Sequence, residues 1–309
     1  MSAEIESLFY VREVPWHGLG VQLEDYPTSK EAITAASLDW KVESRPIYDS
    51  FGKEIPNYRA NTRTTDNQLL GIVTNKYKIV QNDEAFEFTD SLVDGDEVFY
   101  ETAGSLKNGK TVWLLAKMPS TQILDDDIEP YICFTNTHDG TGSIKVCMTP
   151  IRVVCNNTLN FALSTAKRSW ATRHMGNMVE KLAEAKRALG LATEYVDALK
   201  IESEKLALES FTKAEFSKVI DAMMPIDYIN DSKRKIQNIE SMKEALMICY
   251  KAPDLNNFRE TKYGALMAVT DMVAHSTPNR VTKNYAENNW GKIMVGHPMV
   301  DEFYKRITA

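Results

Sequence analysis

The sequence predicts an α+β protein with an antiparallel sheet and flanking helices in its N-terminal half, followed by a long helix and a helical C-terminal region. In the first half, short apolar stretches are separated by turn signals, as in β-hairpins. From about residue 179 onward, apolar residues recur at helical spacing and prolines end several segments. With 309 residues, the chain suits one large or two modest domains. We place an α+β domain with antiparallel hairpins at residues 1–168 and a mostly α-helical region at residues 169–309.

Composition narrows the class of protein. A hydrophobic content of 43% and a charged content of 26% are ordinary for a folded globular chain and do not favour disorder. The net charge of −7 argues against a surface that coats duplex DNA through charge alone. The apolar runs are too short to span a bilayer, and the N-terminus lacks the pattern of a signal peptide. We therefore expect a cytoplasmic protein with no membrane partner.

Local signals place the elements of the N-terminal half. Thr28, with Glu31 three residues later, is a capping box that predicts a short helix. Asn82 and the two acids after it predict the start of a second helix, which runs through residue 92. The Asn108-Gly109 dipeptide predicts a tight hairpin turn. The predicted strands are residues 40–48, 58–64, 69–74, 98–103 and 111–118.

The stretch from residue 130 to residue 168 holds much of the turn chemistry. A polar, glycine-containing loop at residues 136–142 is predicted to join two strands, at residues 131–135 and 143–149. Exposed amides in such a loop suit an anion, and a plain hairpin tip is the alternative.

The residues that follow predict a helix start. Asn156 or Asn157 is suited to cap a helix, with Arg152 just before it. An arginine beside free backbone donors suits a phosphate or carboxylate, and an ion pair with one of the many acids is the alternative.

The sequence from about residue 179 onward predicts helices. Residues 179–208 predict one long amphipathic helix, with Leu182, Leu189, Val196 and Leu199 near heptad spacing. This seam predicts packing on a partner helix or a homo-oligomer. The further predicted helices are residues 213–223, 232–250, 257–275 and 297–307.

A candidate ligand loop combines two parts of the sequence. The PWHGLG motif at residues 15–20 predicts an ordered loop that carries an indole and an imidazole between glycines. Plugging the edge of the core is the alternative role for this motif. The candidate residues are Trp16, His17, Asn136, His138, Asn156 and Asn157.

A candidate nucleic-acid surface follows from the distribution of charge. Residues 167–187 contain six basic and two acidic side chains, with a tryptophan among them. Cations interleaved with an aromatic ring suit backbone tracking with base stacking. The predicted nucleic-acid-binding residues are Arg152, Lys167, Arg168, Trp170, Arg173 and Lys181. A second set could extend them, namely Arg59, Arg63, Lys76, Tyr77 and Lys78. The alternative for either set is a solvated helical or loop face.

Motifs of the common enzyme classes are absent from the sequence, including the P-loop, the dinucleotide fingerprint, the zincin motif and the nucleophile elbow. The four cysteines suit reduced, packed thiols, because Cys133, Cys147 and Cys155 lack the C-x2-C spacing of a zinc knuckle. We therefore expect no metal and no cofactor. A hydrolase or nucleotide-binding enzyme built on His138, Arg152 and Cys155 stays an alternative.

Three motifs resemble a phage/plasmid-like protein family of unknown function that recurs in phage, prophage and plasmid genomes. They are PWHGLG at residues 15–20, NKYKIVQNDEAF at residues 75–86 and TPIRVVCNNTLNFAL at residues 149–163. The family has no agreed catalytic residues, so the resemblance implies a mobile-element setting and no particular reaction. The predicted hairpins followed by a long helix also resemble the layout of phage single-strand-annealing recombinases, which is an analogy of fold.

The leading hypothesis is a phage-associated, non-enzymatic protein that binds nucleic acid as an oligomer, with single-stranded DNA binding or annealing as its activity. The second hypothesis is a counter-defence or host-interaction protein whose acidic surface engages a protein partner.

Overall fold

A computed structural model of the chain describes residues 5–11, 20–92, 99–124, 126–152, 157–158, 169–189, 192–275 and 297–309. The contacts group the chain into two compact units that alternate along the sequence. The first comprises Met1–Pro119, Tyr131–Met148 and Lys167–Tyr195, and the second comprises Ser120–Pro130, Thr149–Ala166 and Val196–Ala309.

The elements are numbered in chain order. The described strands are β1 (Ile5–Tyr10), β2 (Val21–Gln22), β3 (Val42–Tyr48), β4 (Glu54–Arg63), β5 (Leu69–Thr74), β6 (Phe99–Leu106), β7 (Thr111–Lys117), β8 (Thr121–Ile123), β9 (Asp126–Glu129), β10 (Tyr131–Thr137), β11 (Ile144–Met148), β12 (Ile151–Arg152), β13 (Asn157–Thr158) and β14 (Ser169–Thr172). The described α-helices are α1 (Ser29–Ala35), α2 (Asn82–Asp90), α3 (Met178–Leu189), α4 (Ala192–Leu208), α5 (Lys213–Met223), α6 (Lys233–Tyr250), α7 (Lys262–His275) and α8 (Pro298–Thr308), with a 3-10 helix at Pro253–Phe258.

The first unit is built on a seven-stranded sheet with the order β14-β11-β10-β7-β6-β1-β2. Its pairs are antiparallel except for the parallel pair of β1 with β2. Helix α2 covers one face of the sheet, where Phe86 packs against Tyr100 and Phe88 against Phe134, with ring centroids 5.0 and 5.8 Å apart. These rings form an apolar layer between helix and sheet.

A three-stranded sheet, β3-β4-β5, completes the described sheets of the first unit. The loop at residues 138–142 packs against its inner face. A Cβ atom on Gly71 would lie 2.5 Å from the Cα atom of Asp139, and one on Gly140 would lie 2.8 Å from a methyl carbon of Val73. Only residues without a side chain permit this close approach.

The second unit combines a small sheet, β13-β12-β9-β8, with helices around α7. Nine of the fourteen residues of α7 are buried, which explains the continuous apolar stretch in its first ten residues. Ile123 and Ile128 of the small sheet belong to the same core, although they precede α7 by more than a hundred positions. Phe216 stacks on Tyr250 with centroids 4.6 Å apart.

The predicted fold class is confirmed, with antiparallel sheets in the N-terminal half and helices toward the C-terminus. The capping box of Thr28 and Glu31 forms. Helix α2 differs in detail, because Gln81 is its N-cap residue, with its backbone N–H bonded to Glu84 at 2.7 Å. The side chain of Asn82 is instead buried and donates to the carbonyl of Leu38 at 3.0 Å.

One prediction needs correction. Asn157 does not cap a helix, because it lies in β13 and pairs with Arg152 of β12. Residues 179–208 contain the described helices α3 and α4, and residues 190 and 191 between them lie outside the described ranges, so the single long helix stays a prediction. Val196 and Leu199 are 7% and 0% exposed, so this part of the predicted seam packs within the chain.

The contacts group the chain differently from the predicted division at residue 168. Strand β14 and helix α3 lie in the first unit, whereas β8 and β9 lie in the second. The predicted division stays a prediction. None of the helices in the described ranges combines the length and the apolar character that a bilayer crossing requires.

Candidate nucleic-acid interface

Two segments that are far apart in sequence meet beside the edge of the larger sheet. Tyr77, just after β5, forms an isolated antiparallel bridge with Met175, just after β14. The backbone N–H of Lys78 donates to the carbonyl of His174 at 2.8 Å. The Nδ1 atom of His174 lies 2.9 Å from the carbonyl oxygen of Lys78. This double contact holds the two segments in register.

The local sequence explains how the second segment reaches this position. Gly176 has a φ of +81°, a conformation that suits glycine, and the chain then turns into α3. The side chain of Asn177 accepts a hydrogen bond from the N–H of Val179 at 3.1 Å and so caps the helix. The first turn of α3 brings the ammonium of Lys181 to the carbonyl of Arg173, at 3.2 Å.

Four cations therefore lie on these adjoining segments, and we call them the basic junction: Lys76, Lys78, Arg173 and Lys181. The side chains of Lys76, Lys78 and Arg173 are exposed, and Lys181 is half-buried. Among the residues that the structure describes, no carboxylate forms an ion pair with any of the four. Unneutralised cations at one place on an acidic protein favour binding of an anion.

Aromatic packing beneath the basic junction orients it. The rings of Tyr77 and His174 stack with centroids 4.5 Å apart and an interplanar angle of 15°. The hydroxyl of Tyr77 donates to the carbonyl of Thr137. Burial, reinforced by the nearby charge of Asp139, raises the pKa of Tyr77. Burial lowers the pKa of His174 and so disfavours the charged form of this imidazole, which acts as a structural support through its contacts with Lys78 and Tyr77.

The candidate ligand loop lies largely inside the protein. Asn136 and His138 are completely buried, and the amide of Asn136 donates to the carbonyl of Val80 at 2.9 Å. The Nε2 atom of His138 lies 3.2 Å from the side-chain oxygen of Asn82. Burial and, to a smaller extent, His174 lower the pKa of His138 to about 3. A neutral, enclosed imidazole does not face solvent, so this geometry does not favour His138 as a catalytic base.

The residues of the second predicted set have different roles. Arg63 is buried and bonds to Glu6 at 2.7 Å and to Asp66 at 2.7 Å, with its guanidinium carbon 5.5 Å from the centroid of Trp40. These contacts make Arg63 structural. Arg59 pairs with Glu54 at 3.4 Å on the surface.

The remaining predicted residues divide into two groups. Trp170 is half-buried in β14, and its partner across the strand pair is the buried Val146, so its ring belongs to the helix-covered face of the sheet. The backbone of Arg152 pairs with Ile128. The predictions that lie outside the described residues are Trp16, His17, Asn156, Lys167 and Arg168.

The exposed aromatic residues of the β3-β4 hairpin were not predicted as functional. Tyr48, Phe51 and Tyr58 lie in segments that the sequence analysis assigned only to strands and a turn. The alternation of residues along a strand does not predict this exposure, because it does not show which part of a hairpin is covered by the rest of the protein.

The fold and the basic junction together define an α+β protein of two units whose first unit presents a cationic surface. The model of a family described as a domain of unknown function, DUF932, matches residues 69–290. The chain belongs to this family. No curated protein and no solved structure matches the chain. Lys76, Lys78, Arg173 and Lys181 all lie inside the matched region.

Proposed function

We propose that this chain is a phage-associated, cytoplasmic, non-enzymatic protein that binds single-stranded nucleic acid through the basic junction. The observation that carries the proposal is that the segment with Lys76 and Lys78 meets the segment with Arg173 and Lys181. The sequence predicted these cations in two separate sets, and the backbone contacts between Lys78 and His174 join them. The likeness of the three sequence motifs to the phage/plasmid-like family supports the mobile-element setting.

Charge arithmetic supports a local binding site on a protein with a net charge of −7. Neutralising phosphates with four cations releases counterions, and for a single strand this gives a slope of log K against log salt of roughly −3. Such a slope describes a confined contact and is smaller than that of proteins that coat long duplexes.

The first test is a fluorescence-anisotropy titration of labelled single-stranded and duplex oligonucleotides at several salt concentrations. We expect the K76E/K78E variant to lose about 10-fold or more in affinity at low salt and to show a slope reduced to roughly half, since two of the four cations are removed. Both side chains are exposed, so the fold should be retained.

The K213E/K218E variant is the matched control. It makes the same change in net charge on two exposed lysines of α5, in the second unit. Its affinity should stay close to that of the wild type. Equal losses in both variants would attribute binding to net charge alone, and the absence of any binding at low salt would refute the proposal.

A protein partner is the second candidate function. Tyr228 and Ile229 are 70% and 92% exposed in a turn before α6, a pair of large apolar side chains that suits a protein contact. Asp227 holds this turn by accepting from the N–H groups of Ile229 and Asn230. Loss of a host protein from pull-downs with the Y228A variant, combined with no oligonucleotide binding by the wild type, would favour this counter-defence or host-interaction function.

Oligomer formation also belongs to the proposal. Val196 and Leu199 of the predicted seam are buried within the chain, and α3 and α4 present other exposed apolar side chains, Val179, Ile201 and Leu208. Light scattering coupled to size exclusion measures the oligomeric state directly, and a monomer at all concentrations would remove this part of the proposal.

A further inference from the structure

The β3-β4 hairpin carries three exposed aromatic side chains, one of them at its turn. Phe51 at its turn is 93% exposed, Tyr48 is 58% exposed and Tyr58 is 47% exposed. Ile72 of β5 is also exposed, and it lies diagonally across from Tyr58 on the same face, because Ala60 and Ile72 are paired. Large apolar side chains grouped on a surface usually mark an interaction site.

The turn that carries Phe51 is well ordered by hydrogen bonds. The carboxylate of Asp49 accepts from the backbone N–H groups of Phe51 and Lys53, both at 2.9 Å. The N–H of Asp49 donates to the carbonyl of Lys53 at 2.9 Å, and Gly52 supplies the positive φ of +77°. The ring of Phe51 is therefore held in solvent by a defined turn.

The hairpin is continuous with the basic junction. Tyr58 pairs directly with Thr74, two residues before Lys76. The backbone N–H of Asn75 donates to the carbonyl of Asn57 at 3.0 Å, which fixes the start of the Lys76 turn beside Tyr58. Tyr58 therefore lies next to the segment that carries Lys76, and Phe51 lies at the turn of the same hairpin.

Charge on this surface is complementary to an anion. Arg45 pairs with Glu43 at 3.0 Å and Arg59 pairs with Glu54 at 3.4 Å, so these charges compensate one another. The carboxylate of Asp49 is engaged by the turn. Lys53 is exposed and has no carboxylate partner among the described residues, and its charge balances that of Asp49 in the same turn, so the positive charge available to an anion on this side of the first unit is that of the basic junction.

We propose that the hairpin is a base-stacking arm, on which Phe51 and Tyr58 stack unpaired bases of a single strand while the basic junction holds its phosphates. This inference rests on the proposed function and explains how the protein would select single strands over duplexes. Bases in a duplex already stack on one another and cannot lie on a protein ring, whereas unpaired bases can. The arm should therefore favour single strands over duplexes, which cations alone do not.

The test measures the binding of a labelled thymidine oligonucleotide to wild type, F51A, Y58T and F51W. Loss of one stacking ring should weaken binding roughly 5- to 100-fold, and F51W should retain binding because indole also stacks. Y58T replaces the ring with a β-branched residue, which suits a strand, so the fold should be preserved. Y228A is the matched control, since it removes an exposed aromatic ring from a turn of the second unit.

A second oligonucleotide with abasic positions shows whether a variant loses affinity because base stacking is lost or for another reason. If the rings stack on bases, wild type should bind the abasic strand weakly. F51A and Y58T should bind it with the same weak affinity as wild type, because an abasic strand offers no base on which a ring can stack. Aminopurine fluorescence in the bound strand should report the same stacking.

The outcomes distinguish the two proposals. Salt-sensitive binding that K76E/K78E weakens but F51A and Y58T leave unchanged overturns the base-stacking arm and preserves the proposed function. That result would favour a protein partner as the ligand of the exposed aromatic residues. Failure of wild type to bind any oligonucleotide overturns both.

Discussion

Adjacent residues in the basic junction serve opposite purposes. Lys76 and Lys78 extend into solvent, while Tyr77 between them is largely buried, stacked on His174 and bonded to Thr137. The imidazole of His138 lies deeper, with its Nε2 near Asn82 and its ring edge-on to Trp40 at 5.4 Å. At this scale, burial decides the role of each side chain, because it lowers the pKa of both histidines and leaves the charge to the lysines and Arg173.

The burial of His138 predicts a pH dependence of stability. Its pKa in the folded protein is about 3, below the ordinary value of 6.5, so between these values the unfolded chain binds a proton that the folded protein does not. The free energy of unfolding should therefore fall as pH decreases from about 6.5 toward 3, by up to about 1.4 kcal/mol per pH unit from this residue. His174 should act in the same direction.

Urea denaturation of wild type and H138Q at several pH values tests this expectation. H138Q should have a smaller free energy of unfolding than wild type at pH 7.5. The difference between the two should become smaller as the pH falls, because only wild type loses the contribution of His138. A gap that stays constant down to pH 4 would contradict the assignment. The range above pH 7 is the internal control, since imidazole is neutral there in both states.

At the scale of elements, one loop joins the two sheets of the first unit. The loop at residues 138–142 follows β10 of the larger sheet and packs on β5 of the smaller one. The amide of Asn61 in β4 donates to the carbonyl of His138 at 2.8 Å, and the N–H of His138 donates to the carbonyl of Lys110 at 2.8 Å. The loop therefore positions the smaller sheet, and with it the β3-β4 hairpin.

The close approach at Gly71 predicts a large effect from a small substitution. In G71A, the added methyl group would lie 2.5 Å from Asp139 Cα, so the loop must move away from β5. We expect a loss of about 1–3 kcal/mol in the free energy of unfolding. Hydrogen exchange at the amide of His138 should also become faster.

The S44A variant is the control for this prediction. Ser44 is exposed in the same sheet, and its replacement should change stability by less than about 0.5 kcal/mol. Unchanged stability and exchange in G71A would show that the loop does not depend on this contact.

At the scale of the whole molecule, the chain alternates between two units. Residues 120–130 leave the first unit and supply Ile123 and Ile128 to the core around α7, whereas β14 and α3 return to the first unit after residue 167. A contiguous cut therefore divides both cores.

Fragment folding tests this organisation. A fragment of residues 169–309 lacks Ile123 and Ile128, so its core is incomplete, and we expect no cooperative thermal transition by circular dichroism. The full chain under the same conditions is the reference. A cooperative transition with preserved helix content in the fragment would instead support the division at residue 168.

The class of fold and most elements of local structure follow from the amino-acid sequence. The capping box at Thr28, the Asn108-Gly109 turn and the apolar strand at Leu69–Thr74 are signals within a few residues, and the structure contains all of them. The sequence also identified the cations of the basic junction, although in two separate sets.

Tertiary contacts, in contrast, bring together the residues that lie far apart in the sequence. The bridge between Tyr77 and Met175 joins segments that no local pattern relates, and Arg63 was removed from the predicted set by its contacts with Glu6 and Asp66. Exposure of Phe51 and enclosure of His138 likewise depend on what packs against each loop. Periodicity and turn chemistry act over short stretches of chain, whereas burial and the meeting of charges depend on contacts between distant segments.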